Sequence, residues 1–68
     1  MKTEELLKIT TRDKLLFAWR ESTELARDFE TYSREIKDDD AAAETFARFA
    51  ETEAVHAAKL LGMLRLYK

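Results

Sequence analysis

The sequence predicts an all-α protein: an antiparallel two-helix hairpin that dimerises into a four-helix bundle. Three observations carry that expectation. Apolar residues recur at spacings of three and four over two long stretches, one on each side of an acidic triplet. The 68 residues include one glycine and no proline, so helix breakers are almost absent. A chain this short buries little apolar surface by itself, and with no cysteine it has no disulfide to help. Self-association, a metal held by histidine and carboxylates, or both, are the supports that remain.

The chain is expected to be a single domain, 1–68, with a short N-terminal arm over 1–11. Within the arm, residues 2–9 (KTEELLKI) have the makings of a helical turn or two, with Leu6, Leu7 and Ile9 as apolar contacts. Thr10 or Thr11 then offers a hydroxyl for an N-cap, and Asp13 puts a carboxylate in the first turn, where the helix dipole favours it. The first helix is expected over about 12–37. Leu15, Ala18, Ser22, Leu25, Ala26, Phe29, Ser33 and Ile36 mark its inner face. Asp38, Asp39 and Asp40 follow. Aspartate is poor inside a helix and good at its start, so the triplet reads as a turn whose last members cap the next helix. The alternative for the triplet is an acidic, cation-binding loop. Ala41, Ala42 and Ala43 open the second helix, expected over about 40–67 through Phe46, Phe49, Ala50, Ala57, Leu60, Leu64 and Tyr67. Each helix of about 25 residues would be roughly 37 Å long. A connection of a few residues makes the two antiparallel neighbours. A lone hairpin leaves one side of each apolar stripe in water, and a second hairpin covers it. The second helix runs on without a glycine cap, and the alternative to a self-contained hairpin is a fragment of a longer bundle.

Charge narrows the function classes. Charged residues make up 38% of the chain, yet the net charge is −2. Acids and bases are interleaved, so no basic footprint for nucleic acid is expected. No apolar run approaches the ~20 residues of a membrane span. Met1 to Lys8 lacks the apolar stretch of a signal peptide, so a cytoplasmic setting is expected. The missing cysteines exclude zinc knuckles and thiolate clusters and fit the same setting.

The residues that carry chemistry stand out on a helical wheel. With Glu53 at zero, Phe46 and Leu64 fall at about +20°, Leu60 at about −20°, and Phe49 and Tyr67 at about −40°. Glu53 is therefore at the centre of the apolar stripe, and His56, at about −60°, is still on it. A carboxylate placed in an apolar core costs several kcal/mol unless it is paired or bound to a cation. A core selected only for stability would carry Leu or Met there. Glu and His at i and i+3 project the same way, and their oxygen and nitrogen donors suit iron, manganese or zinc. Glu-x-x-His on two helices, with one Glu from each of the other two, is the ligand plan of dimetal carboxylate bundles. A symmetric pair of hairpins would supply two of each.

The residues from Phe46 to Leu64, FARFAETEAVHAAKLLGML, resemble the second helix of rubrerythrin-type and encapsulated-ferritin proteins of the ferritin-like di-iron superfamily. There an acidic stretch leads into Glu-x-x-His, small residues and then leucines. RESTELARDFETYSREIKDDD resembles their first helix, with a Glu, a later aromatic and an acidic turn. The likeness covers about 15–66. It implies a ferritin-like half-bundle with a di-iron site shared between two chains. It implies Glu53 and His56 as metal ligands and catalytic residues, completed by one glutamate from the first helix. On that helix's wheel, with Ser22 at zero, Glu21 lies at about −100° and Glu24 at about −160°, so neither is central as Glu53 is. Glu21 is preferred on geometry, and the family's usual separation points closer to Glu24.

The resemblance implies iron as the metal, oxidation of Fe(II) for storage or detoxification, and a dimer or ring of dimers inside a protein shell. A rubrerythrin-like peroxide-reducing role is the neighbouring alternative. That family's electron-transfer iron site needs four cysteines, and this chain has none. A different class of function is also open: a helical homodimer or adaptor without metal, in which Glu53 and His56 pair with each other. Phe17, Trp19, Phe29, Phe46, Phe49 and Met63 are expected in the core or the interface. Tyr32 and Tyr67 are expected at its rim, where their hydroxyls could support the metal ligands. Glu30, Arg34 and Glu44 read as a solvated face, or as an ion path into the site.

Overall fold

In the computed structural model of this chain, residues 9–67 are described. The expected arm over 2–9 falls outside them, apart from Ile9. Two helices make up the fold: α1, Thr11–Glu35, and α2, Asp40–Leu64. They pack against each other along their length, joined by residues 36–39. The all-α hairpin is what the periodicity predicts.

The helix starts follow from side-chain chemistry. Thr10 caps α1. Its Oγ1 accepts from the Asp13 N–H at 3.0 Å, and the Asp13 carboxylate accepts from the Thr10 N–H at 3.2 Å. This reciprocal box satisfies two donors that the first turn leaves without partners. Asp39 caps α2, accepting from the Ala42 N–H at 3.0 Å. The middle aspartate of the triplet is thus the cap, and Asp40 sits in the first turn where the dipole favours an anion.

The helix ends fall short of the expected ones. α1 stops at Glu35, because Ile36 takes an extended conformation while its N–H still donates to the Tyr32 carbonyl at 3.0 Å. α2 stops at Leu64. Beyond it Leu66 donates to Met63 and Tyr67 to Leu64, both at 3.1 Å. These three-residue steps are the tighter turn that often finishes an α-helix.

Four threonines, Thr23, Thr31, Thr45 and Thr52, donate to the carbonyl four residues earlier, at 2.8–3.1 Å. Their hydroxyls are thereby satisfied without a tertiary partner. One side-chain hydrogen bond crosses between the helices. Ser33 Oγ donates to the Ala43 carbonyl at 2.7 Å and ties the two ends beside the turn.

Above that tie lies an aromatic cluster. The Phe29 ring is 5.7 Å from Phe46 and 5.8 Å from Phe49, and Tyr32 meets Phe46 edge-on at 5.5 Å. Phe46 and Phe49, one turn apart, are close to perpendicular at 6.3 Å. These separations lie in the favourable range for tilted ring pairs. The cluster pins the register of the helices at the turn end.

The molecule measures 50 × 29 × 12 Å. Its 12 Å thickness is that of a single helix with its side chains, so the hairpin is one layer. Domains are ordinarily two layers or more around a core. Accordingly, no described residue is fully buried. Phe17, Tyr32, Phe49 and Met63, expected in a core, an interface or its rim, remain about half exposed in the single chain.

Candidate metal centre

Glu53 and His56 lie one turn apart near the middle of α2. Their spacing of three residues brings Glu53 Oε1 within 3.5 Å of His56 Nδ1. The two side chains differ in setting. Glu53 is only 21% exposed, whereas His56 is 57% exposed. In the single hairpin Glu53 is thus half-buried and His56 is open. The reason is the single layer: His56 sits at the open edge of the apolar stripe, and no second layer covers it.

Beside His56 a shallow groove is lined by Ser22, Lys59, Leu60 and Met63. At this level α1 offers a hydroxyl and α2 an ammonium. Neither group stood out from the sequence. The signal for Ser22 was its place in the α1 stripe, where it interrupts leucines and aromatics.

Glu21 and Glu24 are elsewhere. Both are exposed, and they line a surface groove with Phe17, Trp19, Arg20, Thr23 and Arg27, all of α1. On the helical wheel this groove is centred opposite Ser22, on the outer side of α1. Among the described residues no group of three or more histidines, cysteines or acids stands together as a metal cage. The chain thus brings Glu53 and His56 together and does not bring Glu21 or Glu24 to them.

Two further acids are paired at the surface. Glu30 pairs with Arg34 at 3.5 Å and Glu44 with Arg48 at 3.1 Å, each four residues apart and well exposed. With the acid on the N-terminal side, these pairs have the favourable orientation for a helix and contribute a few tenths of a kcal/mol each. An ion path through Glu30, Arg34 and Glu44 would have to compete with them. No described helix is long and apolar enough to cross a membrane.

Comparisons with protein-family models, with curated proteins and with solved structures gave no match. The functional reading rests on the chemistry of the site.

The donor set fits a transition-metal ion in kind. A carboxylate and an imidazole, within 3.5 Å of one another and on one side of a helix, are donors of the kind such an ion accepts. Two donors alone leave most of an ion's coordination to water.

Proposed function

We propose that this chain is a ferritin-like half-bundle: two copies form a four-helix bundle whose Glu53–His56 pairs bind iron between them. Iron is then both ligand and substrate, taken up as Fe(II) and oxidised for storage or detoxification. The observation that carries the reading is the pair itself. An acid and an imidazole, 3.5 Å apart, occupy the centre and edge of a face otherwise made of Phe46, Phe49, Leu60 and Met63. Covering that face with a second apolar layer would strand both groups without water, at a cost of several kcal/mol. A shared cation offsets that cost.

In such a bundle the carboxylates hold the ion and balance the charge gained on oxidation, and the imidazoles fix its position. Two Fe(II) give up one electron each, and O₂ with two protons leaves as H₂O₂. The ferritin-like plan adds a carboxylate from α1, Glu21 or Glu24, to this minimum. The same donors suit manganese and zinc.

The 3.5 Å contact also favours a second reading, a homodimer or adaptor without metal in which Glu53 and His56 pair with each other. Anaerobic titration with Fe(II) or Co(II), followed by elemental analysis and the mass in solution, separates the two. One ion per chain is the dinuclear count. Half an ion per chain leaves a single ion held by two Glu53 and two His56. No uptake, with an unchanged melting curve, ends the metal reading in favour of the adaptor.

A further inference from the structure

The hairpin has two broad faces, and they are unlike at the end opposite the turn. On both helical wheels zero points to the seam between the helices, since Phe29, at about −20°, meets Phe46, at about +20°. One face is a groove lined by Ala26, Glu30 and Ser33 of α1 with Ala47, Ala50 and Ala54 of α2, all at positive angles. The other face is the negative side of both wheels. At the open end the apolar residues of the first face, Leu16, Trp19 and Leu61, are partly covered. On the other face Phe17, at about −140°, and Met63, at about −80°, stay 52% and 43% exposed. Leu66 and Tyr67, in the tight turn that ends α2, are open as well.

The chain enters α1 over this same patch. Thr10, the N-cap, falls at about −120°, on the side of Phe17. Its backbone is extended, so the residues before it leave the helix axis there. The bond between Ser33 and Ala43 sets the antiparallel register, which brings Thr10 level with about residue 66 and Met63 level with about residue 13. Along the axis Met63 is then about 5 Å from Thr10, and Phe17 about 10 Å. Residues 2–8 as a helix would also span about 10 Å, so arm and patch match in length.

The arm has the matching chemistry. On a wheel of its own, KTEELLK puts Leu6 and Leu7 on one side and the pair Glu4 and Lys8, four apart, on the other. Thr3 is a good helix-starting residue. From Lys59 onward the chain carries three bases and no acid, and Lys14 stands on the same face as Met63. Glu4 and Glu5 complement that charge. Tethering at Thr10 holds the arm at about millimolar effective concentration, ahead of a free partner.

We propose that residues 2–8 fold back as a helical strap over the open end of this face, with Leu6 and Leu7 against Phe17 and Met63. Glu4 and Glu5 then lie towards Lys14 and Lys59. His56 comes level with about residue 20 of α1, about 15 Å from Thr10 and beyond the strap. The strap uses neither Glu53 nor His56 and stands apart from the metal reading. A second hairpin laid on this face has to displace it at Met63 or stop short of it.

The cysteine-free chain makes the test direct. Met63→Cys is reacted with a maleimide in dilute solution, once with the native arm and once with Leu6→Asp/Leu7→Asp. Gly62→Cys, its neighbour on the outer edge where a Cβ meets nothing within 4 Å, is the control. Both leucines precede Thr10, so the capping box and both helices keep all their residues. A strap docked about nine-tenths of the time slows labelling about tenfold. The expected result is labelling of Met63→Cys about tenfold faster with the altered arm, and labelling of Gly62→Cys unchanged. Equal rates at Met63→Cys with the two arms overturn the proposal. Protection that survives the altered arm and deepens with protein concentration overturns it too, since a second copy then covers the patch.

Discussion

Replacing Glu53 and His56 together by leucine separates a pair kept for metal from a pair kept for packing. At position 53 the native side chain is 21% exposed, so a leucine there would bury about four-fifths of itself even in the single hairpin. Full burial of a leucine contributes about 1.5–3 kcal/mol, so this site alone adds about 1–2 kcal/mol. At position 56, where His56 is 57% exposed, a leucine buries about two-fifths and adds about 1 kcal/mol. The double variant, E53L/H56L, should therefore be more stable than the parent in metal-free buffer by about 2–3 kcal/mol. For a chain of this size that is a rise in Tm of about 10–20 °C. The parent should recover a similar amount from metal. At a free ion concentration of about 100 times Kd, binding to the folded state alone adds about 2.7 kcal/mol. The assay is thermal melting by circular dichroism, with and without Co(II), at fixed protein concentration. The expected pattern is a variant that melts high and ignores the metal, beside a parent that melts low and responds to it. If the variant melts below the metal-free parent, the pair stabilises the fold by itself and the reasoning is wrong.

Glu53→Gln and His56→Ala are each expected to abolish specific metal uptake, read by equilibrium dialysis with elemental analysis. Thr10→Ala removes the hydroxyl acceptor of the capping box, while the backbone N–H that donates to Asp13 stays, and should cost about 1 kcal/mol, seen as a loss of about 4–8 °C in Tm. Gly62 lies in α2 on the side away from the seam, and a Cβ there meets nothing within 4 Å. Gly62→Ala should accordingly raise stability by about 0.5–1 kcal/mol in urea unfolding, with no change in the mass in solution. Phe46→Ala removes the ring that touches Phe29, Tyr32 and Phe49, and a cost of about 2–3 kcal/mol is expected, below the full price of a wholly buried phenylalanine.

The hairpin was legible in the sequence because its signals are local. The three-and-four spacing, the threonine before Asp13 and the aspartates before three alanines each act within one or two turns. Their geometry follows without knowledge of the rest of the chain. The helix ends were less legible. Ile36 belongs by periodicity to α1, but the chain must leave the helix axis to reach Asp39, and Ile36 is where it bends. The pairing of Glu53 with His56 was readable from spacing alone. Their burial was not, since burial at an open face is a property of whatever covers it. The wheel placed His56 at the stripe's edge, and the edge is where the single layer ends. For the carboxylate of α1, the family likeness and the wheel pointed to different residues. The fold puts both on the outer side because Ser22 and Leu25, not a glutamate, hold the inner positions at that level.

The aromatic cluster and the Ser33–Ala43 bond both sit beside the turn, and among the described residues no aromatic pair is found at the opposite end of the hairpin. Cohesion is therefore graded along the long axis. Contacts near the turn join residues close in sequence, so they close small loops and form early. The same gradient governs opening. Amide hydrogens around Phe46 should exchange slowest and those near Leu64 soonest, with the Glu53–His56 pair between them where the zipper passes from firm to loose.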